Sequence, residues 1–362
     1  MDFWNCYQGK KVLITGHTGF KGSWLAIWLK QLGAEVYGYS LAPYTEKDNF
    51  VSCNLQKEIH HFEGDVRNGA ALKNYFYQVQ PDMAFHLAAQ PLVLLSYKEP
   101  ALTFETNLMG VVNFFEAVRE NLSVKAAINI TSDKCYDNKE WVWGYRENDP
   151  MGGKDPYSAS KGCAELITSS YITSFFNGEN SCAVASGRAG NVIGGGDWAA
   201  NRIVPDYFRA LAAGEQLQLR NPQATRPWQH VLEPLSGYLT LGAMLFLQGK
   251  KYNGGWNFGP SDANNYPVKE LIDQLKKTTG FGDYEMKESI ENLHESNFLK
   301  LDVSKSANRL GWRPVLNFEE TVKFTVDGYQ ADRNQNDILN SRIKQIQAYT
   351  EKARNKASWA SV

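Results

Sequence analysis

Cysteine is scarce in this chain and unpaired. Cys6, Cys53, Cys135, Cys163 and Cys182 are an odd set without a C-x-x-C pair, which argues against a disulfide framework or a zinc ribbon. A reducing cytoplasm is the expected compartment. An excess of one charge is also missing: 38 basic against 39 acidic residues leave a net charge of −1. Neither nucleic acid nor an anionic membrane is therefore an expected partner. Long hydrophobic runs are absent too. The longest near-apolar stretch, Tyr238 to Leu247, is half of the roughly 20 residues a membrane span needs, and Lys10-Lys11 precede any apolar run. With no export expected, the sequons at Asn121 and Asn129 are chance matches. His17, His60, His61, His86, His230 and His294 show no metal-ligand spacing, so no metal is expected, and His86 at a strand end reads as a packed core histidine.

What is present is ordinary globular material. The 362 residues, 43% of them hydrophobic, suffice for two domains or one large α/β unit with an elaborated C-terminal part. The first half alternates strand candidates (Lys11–Thr15, Glu35–Tyr39, His61–Gly64, Met83–Leu87, Ala126–Ile130, Cys182–Ser186) with helical stretches (Gly22–Leu32, Gly69–Gln80, Pro100–Glu120, Tyr157–Phe176). That alternation predicts βαβ units and a doubly wound parallel sheet of the Rossmann type over residues 1–187. After Gly187 the pattern loosens into Gly194-Gly195-Gly196 and a loop-rich stretch carrying Arg188, Arg202, Arg209, Arg220 and Arg226. Residues 188–362 are therefore expected to form a smaller C-terminal α/β substrate-binding domain, packed with the first as one body because no linker separates them. The last ~45 residues mix Lys and Glu on a helical pattern and read as a solvated outer face.

Gly16, Gly19 and Gly22 follow the first strand and open the first helix. A helix N-terminus there offers free N–H groups to a pyrophosphate, and glycine lets the backbone approach it. The acidic residue that would hold an adenosine ribose after the second strand is replaced by Tyr39-Ser40-Leu41; no arginine stands there either, which favours NAD over NADP. Asp65-Val66 suits the adenine edge, or Asp65 is a loop aspartate capping the helix from Asn68 onward.

Tyr157 and Lys161 place a phenol and an ammonium on one helical face. The spacing alone says little, since Tyr7 and Lys11 share it outside any expected helix. Context gives it weight: Tyr157 follows Pro156 at a helix start and Ser132 ends the fifth strand, so all three converge at the carboxyl edge of the sheet. There a lysine, helped by a positive nicotinamide ring, lowers the phenol pKa so that it takes a hydroxyl proton while hydride leaves the same carbon, and Ser132 hydrogen-bonds that oxygen.

The segments Gly16–Gly22, with Thr18 and Phe20 in the turn, Leu87-Ala88-Ala89-Gln90, Asn107, Ser132 and Tyr157–Lys161 resemble the extended short-chain dehydrogenase/reductase family, whose members act on nucleotide sugars. Longer blocks, Thr131–Asn138, Trp141–Glu147, Arg188–Trp198 and Arg226–Glu233, are similar to its 4,6-dehydratases, with a CDP-linked glucose as the expected substrate by block similarity. The resemblance implies NAD held by Gly16, Thr18, Gly19, Phe20, Gly22, Asp65, Val66, residues 87–90, Asn107, Tyr157 and Lys161. It implies oxidation at C4, water loss across C5 and C6 and hydride return to C6, an entry to the deoxy sugars of surface polysaccharide. Asp133 and Lys134 are then the additional acid and base, Lys134 standing where thymidine-diphosphate sugar dehydratases carry glutamate. The alternative for Lys134 is pairing with Asp133 or a substrate oxygen. Arg226, Arg202 and Asn191 are the expected substrate ligands, and Trp198 or Trp228 either lines the base pocket or fills core. Leu94 departs from the usual arginine and bears on sugar selectivity. A homodimer or dimer of dimers through first-domain helices is also implied. The competing readings are a 4-epimerase, which does not need Asp133 and Lys134, a dehydratase for another nucleotide hexose, and a non-catalytic NAD-binding protein, which has no reason to keep Ser132, Tyr157 and Lys161.

Overall fold

The structure is a computed structural model, and it describes residues 3–219, 221–261, 265–286, 298–334 and 337–356. Arg220 and His294 lie outside the described residues. β1 (Lys11–Thr15), β2 (Glu35–Ser40), β3 (His60–Glu63), β4 (Met83–His86), β5 (Ala126–Ile130) and β6 (Ala183–Arg188) form within a residue or two of the expected positions. A seventh strand, β7 (Gly254–Asn257), comes from the C-terminal half and completes a parallel sheet in the order β7-β6-β5-β4-β1-β2-β3. The order reverses between β1 and β4, and a doubly wound sheet opens its ligand crevice at that point, beyond the carboxyl ends of the strands.

Alternation along the strands divides the core. Val12, Ile14, Phe85 and Ile128 point to one face, where they pack with Trp24 and Trp28 of α1 (Phe20–Gln31) and with a later helix, Leu232–Gln248. Leu13, Ala84 and Ala127 point to the other, against α2 (Gly69–Val79), α3 (Gly110–Glu120) and α4 (Pro156–Ser174). The stretch expected as one helix from Pro100 to Glu120 is α-helical over Pro100–Phe104, widens to a π turn over Glu105–Met109 and then continues as α3. The wide turn carries Asn107, whose side chain is spent on tertiary bonds described below. His86 is packed as expected, stacked on Phe114 at 4.8 Å with Nδ1 2.7 Å from Thr15 Oγ1.

A further core holds the C-terminal part: Val204 and Phe208 of Ile203–Ala213, Leu271 and Leu275 of Val268–Thr279, and Val322 and Tyr329 of Phe318–Asn334. The last helices are not merely a solvated face. Ile338–Lys356 buries Arg342 completely: its Nε donates to Asn49 Oδ1 at 2.8 Å, Nη1 to the Gly328 carbonyl, and Nη2 to Asp332. A charge distributed over an apolar helical pattern looks solvated in sequence; here its partners lie on other elements. Among the described residues no helix is long and apolar enough to cross a membrane.

Candidate active site

The glycine turn is pressed against the switch point of the sheet. Gly16 sits at φ +76°, and a Cβ there would lie 2.6 Å from the Ala88 nitrogen; a Cβ on Gly22 would lie 2.2 Å from the Gly16 carbonyl oxygen. Both glycines are required by the protein's own packing. Gly19 is different: an added Cβ would meet only the Gly16 carbonyl oxygen, at an ordinary 3.4 Å, so the protein's own packing does not require glycine there. Gly19 is also the N-cap of α1 and supplies no side-chain cap, and no acidic residue stands in the first turn. The first N–H groups of a 12-residue helix are thus left for an anion.

Around this turn, Thr18 donates its hydroxyl proton to the Leu41 carbonyl at 2.9 Å and therefore accepts from Ser40 Oγ at 2.7 Å. Ser40 thus keeps its own lone pairs where a ribose acceptor is expected. Asp65 does not cap α2; Asn68 does, accepting from the Ala71 amide at 3.1 Å. Asp65 instead accepts from the Arg67 backbone N–H at 2.9 Å and from its Nε at 2.8 Å, and that guanidinium holds the carboxyl below its ordinary range. Val66 is buried against Gly110. After β4, Gln90 and Asn107 lock together: the Gln90 amide donates to Asn107 Oδ1 at 2.8 Å, and Asn107 Nδ2 donates to the Gln90 carbonyl and to Ser160 Oγ at 2.9 Å. Asn107 therefore ties the loop after β4 to α4.

α4 begins where its caps place it. Asp155 accepts from the Ser158 amide at 2.9 Å, Pro156 occupies the first turn, and the Tyr157 amide donates to Ser96 Oγ at 3.2 Å. Ser96 sits on the helix Val93–Lys98, which also carries the half-buried Leu94. Tyr157 and Lys161 are both buried, 9% and 6% exposed, which rules out a surface pair. Burial pushes the Tyr157 phenol up to about 12, against the neighbouring Ser132 hydroxyl and the nearby charge of Arg202, which draw it down. The lowering expected from Lys161 comes instead from Ser132 and Arg202, and desolvation outweighs both. Burial likewise pulls Lys161 down to about 8, opposed by Glu165 one turn further on. Among the described residues Lys161 Nζ has no hydrogen-bond partner. Glu165 is held by the Arg188 guanidinium at 2.7 Å, Ser186 Oγ at 2.6 Å and Thr131 Oγ1, so a fixed anion lies behind the lysine.

Ser132 Oγ donates to Asp133 Oδ1 at 2.8 Å and accepts from the Lys134 amide at 3.2 Å. The other carboxylate oxygen, Oδ2, accepts from Asn191 Nδ2 at 3.4 Å. Among the described residues Lys134 forms no ion pair with Asp133, although the two are adjacent, and its side chain is half-exposed. Arg202 Nη1 lies 2.8 Å from Asp197 Oδ2 and its charge reaches Tyr157. Arg226 lies on the strand Thr225–Pro227, its Nη1 donating to the Thr225 carbonyl at 3.0 Å. Trp228 is core, its Nε1 donating to the Tyr266 carbonyl, while Trp198 packs edge-on to Tyr329.

One cation escaped the sequence reading. Lys21, in the first turn of α1, points its Nζ over the Tyr238 ring at 5.9 Å and shares its surroundings with Lys161, Arg202 and Asp133; burial, then the two cations, bring it down to about 7. The signal was available: a lysine at a helix N-terminus opposes the macrodipole and calls for another reason to be there.

A doubly wound sheet with an open glycine turn and a buried Ser–Tyr–Lys set at its switch point defines a short-chain dehydrogenase/reductase of the epimerase and dehydratase type. The chain belongs to the GDP-mannose 4,6 dehydratase family, whose sequence model matches residues 13–325. It is 47% identical over 349 residues to CDP-glucose 4,6-dehydratase of Salmonella typhimurium, covering 95% of this chain and 97% of that one. GDP-mannose 4,6 dehydratase 1 of Arabidopsis thaliana is 28% identical, over 88% of this chain and 89% of that one. Among solved structures, UDP-glucose 4-epimerase of Thermus thermophilus in complex with NAD superposes with a TM-score of 0.76 at 25% identity, over 88% of this chain and 99% of that one.

Proposed function

We propose that this protein is a CDP-glucose 4,6-dehydratase that uses NAD and releases CDP-4-dehydro-6-deoxyglucose and water. The observation that carries the reading is the acidic Asp133 clamped beside Ser132 and within reach of the Tyr157 and Lys161 pair, joined to 47% identity over nearly the whole chain with a relative of that name. Gly19, the uncapped α1 terminus and the unpartnered Lys161 ammonium fit the pyrophosphate and ribose of the dinucleotide. When bound, NAD takes a hydride from C4 of the hexose and returns it to C6.

The rest is work for this chain's residues. Tyr157 accepts the C4 hydroxyl proton while Ser132 hydrogen-bonds the same oxygen, with Arg202 and Ser132 opposing the burial that holds the phenol up. Lys161 stands one helical turn away as the buried cation. Asp133, in its protonated form, gives its proton to the departing C6 hydroxyl, which leaves as water, and a neutral Lys134, free of Asp133, takes and keeps the C5 proton. Arg202, Arg226 and Asn191 take the substrate side, with residues 1–187 as the cofactor domain and 188–362 mainly as the nucleotide-sugar domain. A homodimer or dimer of dimers in a reducing cytoplasm completes the proposal, and all five cysteines are free.

The nucleotide is tested directly. Purified protein given CDP-, UDP-, dTDP- or GDP-glucose with NAD is expected to remove one water from CDP-glucose alone, read by mass spectrometry. Water loss from a different sugar moves the specificity and implicates Leu94; C4 inversion without water loss overturns the roles of Asp133 and Lys134.

A further inference from the structure

We infer that Gln229 is a positioning residue for Asp133, acting through the Gly190–Asn191 loop; the inference rests on the proposed role of Asp133 as the acid of water elimination. The carboxylate has little freedom. Ser132 holds Oδ1 from one side, and Asn191 reaches Oδ2 from the other. Gly190 lies so close that a Cβ placed on it would sit 1.9 Å from Oδ2, inside the carboxylate itself. Asn191 follows in the left-handed region at φ +52°, which asparagine tolerates better than other non-glycine residues.

Gln229 braces this loop from the far side. Its side-chain Nε2 donates to the Gly190 carbonyl at 2.9 Å and to the Phe258 carbonyl at 3.3 Å, and its backbone N–H donates to the Asn191 carbonyl at 3.3 Å. Both side-chain partners are carbonyl oxygens, so only the NH₂ group can face them and the amide has one orientation. Gln229 is 1% exposed, and its Oε1 finds no partner among the described residues. A buried acceptor left unpaired is costly, and a leucine would fill the space without it. The amide is placed where it serves the two loop carbonyls and nothing else. Gln229 thus connects the short strand Gln229–His230, which pairs with Val192–Ile193, to the acid at the end of β5.

The test uses the full chain loaded with NAD and given CDP-glucose. In Gln229→Leu the loop loses its side-chain tether at Gly190, keeping the backbone bond at Asn191, while Ser132, Tyr157 and Lys161 are untouched. Oxidation at C4 is expected to proceed near the wild-type single-turnover rate, whereas water loss slows by about 10²-fold, the typical consequence of misplacing a catalytic group by an ångström. Reduced nicotinamide then builds up on the protein, a signature that general destabilisation does not produce. If the leucine variant does not fold, Gln229→Met, unbranched and of the same length, carries the same expectation. A folded variant that eliminates water at the wild-type rate, or that slows C4 oxidation instead, overturns the inference. Asp133→Asn is run alongside. If it accumulates reduced nicotinamide and the folded Gln229 variant does not, the tether alone is wrong; if Asp133→Asn does not accumulate it, the acid assignment falls and the tether with it.

Discussion

Tyr157→Phe is expected to lower turnover by about 10³-fold or more, the scale of a lost general base, while the protein keeps its fold and its affinity for NAD. The expectation comes from how little else the hydroxyl does. The ring is buried at the start of α4, whose position is set by Asp155, Pro156 and Ser96 acting on backbone and neighbouring side chains. Phenylalanine fills the same space. The hydroxyl's polar neighbour is Ser132, whose own proton goes to Asp133. Because burial holds the phenol at about 12, the protein alone leaves it protonated at neutral pH; deprotonation depends on what binds beside it. Thermal melting and NAD titration separate chemistry from folding. Turnover within tenfold of wild type, roughly 1.4 kcal/mol of barrier, would sink the base assignment.

Asp133→Asn is expected to divide the reaction. Asparagine is isosteric and its Oδ1 still accepts from Ser132, so the first half of the site is preserved. A carboxamide N–H is far too weak an acid to protonate a leaving hydroxyl, and water loss should slow by about 10²- to 10⁴-fold. Oxidation at C4 continues, and reduced nicotinamide is retained with little product released. The measurement is a stopped-flow trace of nicotinamide absorbance beside quenched product analysis. Loss of C4 oxidation in a folded Asp133→Asn protein would remove Asp133 from the elimination step.

The first six strands were readable because short runs, most of them apolar, are bounded by glycine, proline or a helical pattern, and β1 and β5 form over the very residues expected. The site was readable where chemistry is local: the glycine turn, and Tyr157 with Lys161 on one helix. What escaped is long-range. The Gly190 to Gln229 bond spans 39 residues and the Asn191 to Asp133 bond 58, and nothing in either segment signals the other. Lys134 and Asp133 show the converse: neighbours in sequence, they do not pair, and the carboxylate is held instead by Ser132 and Asn191. β7 joins the sheet from beyond the loop-rich stretch, and Arg342 is paired with Asn49, 293 positions away, so a helix that reads as solvated is an internal brace.

The most direct measurement is turnover of CDP-glucose in deuterium oxide, with the sugar followed by mass spectrometry and proton NMR. If Asp133 and Lys134 remove water across C5 and C6, the product has lost one water and carries solvent deuterium at C5. A product of unchanged formula with C4 inverted, or water loss without deuterium at C5, would contradict the account.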